Sequence, residues 1–379
     1  MQFLLDQNNV KDRISKALQL RIDQGRYRQL SILEAKIDFR SNDYLGLSQS
    51  AWIRNELNKF YNLDLGSTGS RLLSGNSTTH LKAEQFLAKH YQSEAALIFN
   101  SGFDANVGLF STVIRPRDIV LYDEAVHASI HQGLKLSGSE LYSFAHNNTK
   151  ELQQLLENSN KNHPIWIVCE SYYSMDGDKA PLVEFVQLAQ IHSAQIIVDE
   201  AHAVGCFGKN GRGLCDEYEI IDQIFARVVT FGKALGAHGA AVLCDLPTQQ
   251  YLINFCKTFI YTTALPPQDI QHIVMAHLFL QKFDFAQKKL EKNIQYFHHK
   301  TRGLDQLKGD GPVYAFIIPG ELKVKRIAQE LQNKGMAIQA IVAPTVPIGS
   351  EMLRVNLHSF NTLQEIDLLI DSLYQYYNE

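Results

Sequence analysis

The chain has 379 residues, 45% of them hydrophobic and 20% charged, which is material for a large core and more than one domain. A net charge of -4, with lysines and arginines scattered along the chain, gives no basic field for a nucleic-acid backbone. No apolar run approaches the roughly 18 residues of a membrane span, and the opening MQFLLDQNNVKDR lacks a signal peptide's apolar stretch and cleavage site, so the expected compartment is the cytoplasm. Five cysteines, odd in number and without a CxxC pair, indicate neither a disulfide framework nor a zinc site, and no metal is expected.

Residues 1–50 read as an N-terminal segment that includes the polar-to-apolar run 37–47. Short aliphatic and β-branched runs then recur at 95–100, 118–123, 140–146, 165–171, 195–202, 227–231 and 240–245. Most are separated by stretches of helical period, at 104–114, 126–137, 149–158 and 182–193. Strands alternating with helices predict a mainly parallel seven-stranded sheet covered on both faces, because a parallel connection needs a crossover long enough to hold a helix. This large α/β domain is assigned to residues 51–265. After Pro266-Pro267 come long helical patterns and the strand-like runs 315–318 and 353–357, which predict a smaller α+β domain over 266–379.

Ligands of open α/β sheets bind beyond the carboxyl ends of the strands, and the unusual residues of this chain collect there. Ser101-Gly102-Phe103 follows the first run, His127 the second, Glu170 to Ser174 the fourth, Asp199 and His202 the fifth, and Gly232-Lys233 the sixth. Gly102 permits close backbone approach, and the helix after it presents free N–H groups to a phosphate. A carboxylate at Asp199, just past the apolar strand QIIV, is costly to bury without a cationic partner, and a pyridinium N–H is one. In TFGKALG, Lys233 lies between two glycines, where a crevice that disfavours the ammonium makes a lysine a usable nucleophile and base. Together these suit a phosphorylated, electron-withdrawing cofactor, with the imidazole of His127 against its ring. Asp199 to His202 also spells DEAH, but GKA at 232–234 lacks the Ser or Thr of a nucleotide-binding loop. Neither HExxH nor GxSxG occurs.

At this point the chain resembles the α-oxoamine synthases, pyridoxal 5'-phosphate (PLP) enzymes of the aspartate aminotransferase fold (fold type I), along nearly its whole length. The likeness runs through SNDYLGL (41–47), GSTGSRLLSGN (66–76), SGFDAN (101–106), HAS (127–129), YSMDGDKAPL (173–182), DEAHAVG (199–205), GRG (211–213), TFGKALG (230–236), TTALPP (262–267) and PTVP (344–347). GSRLLSG and the short, uninserted length are most like the members that join L-alanine to a pimeloyl thioester in biotin biosynthesis.

The resemblance implies that Lys233 forms the Schiff base with PLP, Asp199 partners the ring nitrogen, and His127 stacks on the ring. It places His202 and Ser174 near the phenolic oxygen, and Gly102, Phe103 and Thr230 at the phosphate, with Thr263 reaching a neighbouring subunit's phosphate. Arg28, Asn42 and Thr345 match substrate positions, and Arg354 matches the arginine at the amino acid carboxylate. A cytoplasmic homodimer is implied, with coenzyme A or an acyl carrier protein as acyl donor. Val342 stands where some relatives carry a basic residue, which leaves open another acyl thioester. Glycine or serine in place of alanine, and transamination, are the further alternatives.

Overall fold

The computed structural model describes residues 10–30 and 35–377. The chain divides into two compact units, residues 1–35 and 36–379. In the first, a helix at Val10–Asp23 carries Asp12 in its first turn and Arg21 in its last, each sign matching the helix dipole.

The second unit is built on a seven-stranded sheet. With a short strand β1 at Ile37–Asp38, the sheet strands are β2 (Ala95–Phe99), β3 (Ile119–Asp123), β4 (Glu140–Phe144), β5 (Ile165–Glu170), β6 (Gln195–Asp199), β7 (Ala226–Thr230) and β8 (Ala240–Cys244). Their order is β2-β8-β7-β6-β5-β3-β4. From β7 to β4 the pairs are parallel, while β8 pairs antiparallel with both β7 and β2. Every strand except β8 therefore runs the same way, and six carboxyl ends lie along one edge.

Composition matches position. All six residues of β5, IWIVCE, are buried, as a strand covered on both faces requires, whereas edge strand β4, ELYSF, exposes its first four. Helices Gly102–Val113 and Ala128–Ser137 pack closely because residue 133 is glycine; a Cβ there would stand 2.9 Å from the Phe110 side chain and from the Asn106 carbonyl.

Four further strands follow: β9 (Leu307–Lys308), β10 (Val313–Ile317), β12 (Gln339–Ile341) and β13 (Met352–Asn356) make an antiparallel sheet of order β12-β13-β10-β9, and β11 (Met336–Ala337) pairs in parallel with β1. Helix Pro267–Lys282 begins at the second proline of the Pro266-Pro267 pair, whose missing N–H costs nothing in a first turn. No helix among the described residues is long and apolar enough to cross a membrane.

A buried ion pair interrupts the apolar core. Arg227 of β7 meets Glu200 at 3.3 Å, and Glu200 also accepts the Cys215 N–H at 3.0 Å. Burial pushes the Glu200 carboxyl above its usual range, with Arg227 opposing. Arg227→Met is expected to destabilise the fold by about 3–5 kcal/mol in urea denaturation, because it strands the Glu200 charge in the core. Adding Glu200→Gln should recover part of that loss; a single substitution costing under about 1 kcal/mol would show that Glu200 is already neutral.

Candidate active site

The strand ends surround a cavity of about 450 Å³ lined by the last residues of β5, β6 and β7, by the segments after β2, β3, β5, β6 and β7, by Asn42 and by Arg354 of β13. It gathers Asn42, Gly102, Phe103, His127, Ser174, Asp199, His202, Thr230, Lys233 and Arg354, ten of the residues singled out in the sequence. A larger groove of about 1150 Å³ beside residues 206–212 and helix Phe285–Lys300 holds acidic and basic side chains and none of these ten.

At the end of β2, Ser101 caps the Gly102–Val113 helix: its Oγ accepts the Asp104 N–H at 3.0 Å. The helix N-terminus thus opens on the cavity with backbone N–H groups to spare. A Cβ on residue 102 would fall 2.6 Å from Thr230 Cγ2, so glycine is the residue that lets the helix start against β7.

Asp199 closes β6 and is 4% exposed. Its Oδ1 accepts the Ala201 N–H at 2.8 Å, and its Oδ2 accepts Asn106 Nδ2 at 2.7 Å. The same Asn106 amide donates to Ser129 Oγ at 3.0 Å, and Asn106 Oδ1 is buried without a hydrogen-bond partner. His127 caps the Ala128–Ser137 helix, with Nδ1 accepting the Ser129 N–H at 3.2 Å, which leaves the ring proton on Nε2. Burial lowers the His127 pKa, with Asp199 opposing.

Lys233 sits on the turn after β7. Burial lowers its pKa below the ordinary lysine range, and the carboxyls of Asp199 and Glu170 oppose that shift. Glu170, the last residue of β5, is itself 4% exposed; burial and the neighbouring Asp199 push it up to about 8, although it accepts the His127 N–H at 2.6 Å. His202 is buried, which drives its pKa well below the usual value, and its Nδ1 meets Tyr44 Oη at 2.8 Å. Tyr44 donates to Asn42 Oδ1 at 3.2 Å, and the same oxygen accepts Arg354 Nη2 at 3.1 Å. Arg354 Nε donates to the Ser174 carbonyl at 2.6 Å. A connected polar chain therefore joins His202, Tyr44, Asn42, Arg354 and Ser174.

Three residues singled out in the sequence lie outside the lining. Thr263 is exposed; its carbonyl accepts Asn100 Nδ2 at 2.7 Å, and the same amide donates to Thr262 Oγ1 at 3.0 Å, so the Thr262 hydroxyl is engaged. Thr345 is exposed on a turn after β12, and Arg28 belongs to the N-terminal unit. Conversely, Asn106, Ser129, Met175 and His238 line the cavity without having been singled out, and Glu170, noted at its strand end, had been given no role. Two carried a signal. Asn106 is a polar residue among the buried positions Ala105, Leu109 and Phe110 of its helix, and Glu170 ends an apolar strand just as Asp199 does. Among the described residues no grouping of His, Cys, Asp and Glu is arranged to hold a metal.

Buried acids, neutral histidines and an amine of lowered pKa in one cleft, beside a helix N-terminus, equip the cavity for proton transfer and covalent capture of a phosphorylated ligand. The model of the class I and II aminotransferase family matches residues 34–373. An 8-amino-7-oxononanoate synthase of Emericella nidulans is 38% identical, over 96% of this chain and 95% of its own length. Among solved structures, 8-amino-7-oxononanoate synthase from Francisella tularensis superposes with a TM-score of 0.78 at 27% identity, covering 90% of this chain and 98% of its own. Serine palmitoyltransferase from S. paucimobilis with bound PLP–myriocin aldimine superposes with a TM-score of 0.86 at 26% identity, covering 97% and 96%. Matched over most of its length in both respects, the chain belongs to the class I and II aminotransferase family, on the branch that holds the 8-amino-7-oxononanoate synthases.

Proposed function

We propose that the protein is a PLP-dependent acyltransferase that condenses L-alanine with a pimeloyl thioester, carried by coenzyme A or an acyl carrier protein, to give 8-amino-7-oxononanoate for biotin biosynthesis. The alanine Cα gains the acyl carbon, the alanine carboxylate leaves as carbon dioxide, and the carrier thiol is released. The observation that carries this reading is the convergence of Lys233 and Asp199 in one pocket, in a chain whose curated relatives bear that enzyme's name.

The residues present fit the cofactor. The glycine-opened helix N-terminus beside Thr230 suits a phosphate, the buried Asp199 carboxylate suits a protonated ring nitrogen, and the unpartnered Asn106 Oδ1 adds an acceptor in the same wall. When bound, PLP supplies an electron sink for negative charge at the amino acid Cα. Lys233 would have two tasks: Nζ would hold the cofactor covalently, and as a free neutral amine it would take the proton from the amino acid Cα. Burial favours the neutral amine that both tasks require. His127, neutral with its proton on Nε2, packs against the ring, and His202 and Ser174 serve the phenolic oxygen. Gly102, Phe103 and Thr230 serve the phosphate. Arg354, held by Asn42 and the Ser174 carbonyl, turns its remaining N–H groups to the amino acid carboxylate, with Asn42, Arg28 and Thr345 on the substrate side.

Residues 51–265 are taken as the cofactor-holding domain and 266–379 as the smaller domain, since the large sheet ends at Cys244 and the antiparallel sheet begins at Leu307. The five free cysteines, four of them buried, suit a reducing cytoplasm. Val342 favours a second reading, an acyl chain without a distal carboxylate. Incubation of alanine, glycine and serine with a panel of acyl thioesters, read by mass spectrometry, separates the two: alanine with pimeloyl should give the fastest release of carbon dioxide and amino ketone. A keto acid without carbon dioxide would mean transamination.

Lys233→Ala is expected to abolish turnover while the circular dichroism spectrum stays native, and borohydride should fix PLP to the wild-type chain at Lys233; label on another lysine overturns the assignment. Asp199→Asn should lower turnover by roughly a hundredfold or more while cofactor occupancy falls far less, measured by visible absorbance and steady-state rates.

A homodimer with shared sites completes the reading. Tyr61, Leu65, Leu73 and Tyr261 are largely exposed on two segments joined where the Ala264 N–H meets the Gly69 carbonyl at 2.9 Å, an apolar face beside Thr263 suited to a second copy. Lys233→Ala chains mixed with chains disabled at Thr263 should regain activity, because one site of each mixed dimer takes both defects and the other neither. A fully active monomer in sedimentation and rate measurements would refute this.

A further inference from the structure

His146 lies just beyond β4, where the strand ends gather, and belongs to no motif of the proposed chemistry. Its Nδ1 is 3.0 Å from Asp123 Oδ1 and its Nε2 is 3.0 Å from Asp178 Oδ2. Carboxylates only accept hydrogen bonds, so both ring nitrogens donate and the ring is an imidazolium. Asp123 is the wholly buried end of β3, and Asp178 lies on the segment of residues 173–179 that follows β5. Asn147 repeats the bridge: its N–H donates to Asp123 Oδ2 at 2.7 Å and its Nδ2 to Asp178 Oδ2 at 2.9 Å.

The segment so tethered carries Ser174 and Met175 into the cavity. It folds on itself through the Gly177 N–H to the Tyr173 carbonyl and the Tyr173 N–H to the Asp178 carbonyl, both 3.0 Å. The Tyr173 ring meets the His146 ring edge-on at 4.4 Å. The Ser174 carbonyl is the acceptor that holds Arg354 Nε.

We propose that His146 is a positioning residue: bridging Asp123 and Asp178, it fixes residues 173–179 against the ends of β3 and β4 and so keeps the Ser174 carbonyl, and through it Arg354, aligned for the amino acid. The step to the amino acid rests on the reading of Arg354 as its carboxylate ligand; the clamp itself does not.

The charged groups facing His146 are Asp123 from β3, Glu124, whose Oε1 accepts the His146 N–H at 3.3 Å, and Asp176 and Asp178 from the tethered segment, with Lys308 beyond Asp176. Burial opposes the charge on His146, but the hydrogen bonds to Asp123 and Asp178 outweigh it and push the pKa up to about 10. A raised pKa makes the clamp strongest below the unfolded value near 6.5 and loosens it as pH rises through about 10.

Hydrogen–deuterium exchange of the PLP-loaded protein, as wild type, His146→Gln and Asp178→Asn, tests the clamp. Both variants should exchange the peptide spanning residues 171–181 at least tenfold faster while β5 and β6 keep their protection, and the wild-type advantage over His146→Gln should shrink as pH approaches 10. The KM for the amino acid should rise about tenfold in both, with kcat changed less than threefold. Unchanged protection in both variants overturns the proposal, as does a loss spread evenly over the sheet. Selective loss with an unchanged KM overturns the link to Arg354. Selective loss in a protein that condenses no amino acid with any thioester leaves the clamp standing and removes the proposed function instead.

Discussion

A carboxylate buried at the end of β6 is the constraint around which the pocket is arranged. Asp199 is reached by the Ala201 N–H on one oxygen and the Asn106 amide on the other, and each donor comes from a different layer. Ala201 belongs to the chain leaving β6, whereas Asn106 projects from the helix that begins at Gly102. The helix can deliver that amide only because Gly102 clears Thr230 and Gly133 clears Phe110, so two missing side chains set the distance of a hydrogen bond elsewhere. Asn106 also holds Ser129, and Ser129 holds the His127 ring. Moving the helix would therefore disturb the acid, the imidazole and the N–H groups at the cavity mouth together.

The architecture was open to reading from sequence because a buried parallel strand is a local statement. The runs at 95–100, 118–123, 165–171, 227–231 and 240–245 each fall within one or two residues of an observed strand, since each has an apolar centre bounded by polar or turn residues. The runs 140–146 and 195–202 extend past β4 and β6, and their surplus residues form the pocket and the His146 bridge. Where pairing is not local the sequence is silent. β1 and β11 are two residues each and meet across about 300 positions, and neither is long enough to show a period.

The same distinction separates the site residues. Lys233, Asp199 and His127 sit at strand ends and are visible as residue types in the wrong company. What remained hidden were partnerships: Arg227 with Glu200, Asn106 with Asp199, and His146 with Asp123 and Asp178 lie 27, 93, 23 and 32 residues apart. Nothing in a window of sequence links such pairs, because it is the sheet order that places β3 beside β4 and β5 and so brings their ends within hydrogen-bonding reach.

Charge is what these partnerships regulate. Asp199, Glu170 and Lys233 share one cavity with His127 and His202, and burial presses each displaced group towards its neutral form: Glu170 up to about 8, the two histidines and Lys233 downwards. The shifts favour uncharged histidines and the protonated form of Glu170, which accepts the His127 N–H. Asp199, with an N–H donor on each oxygen, is left as the acceptor best supported for a cation entering the cavity. Glu170 and Asp199 end neighbouring strands in register, yet one accepts the His127 N–H and the other an N–H on each oxygen, so environment alone gives similar side chains different surroundings.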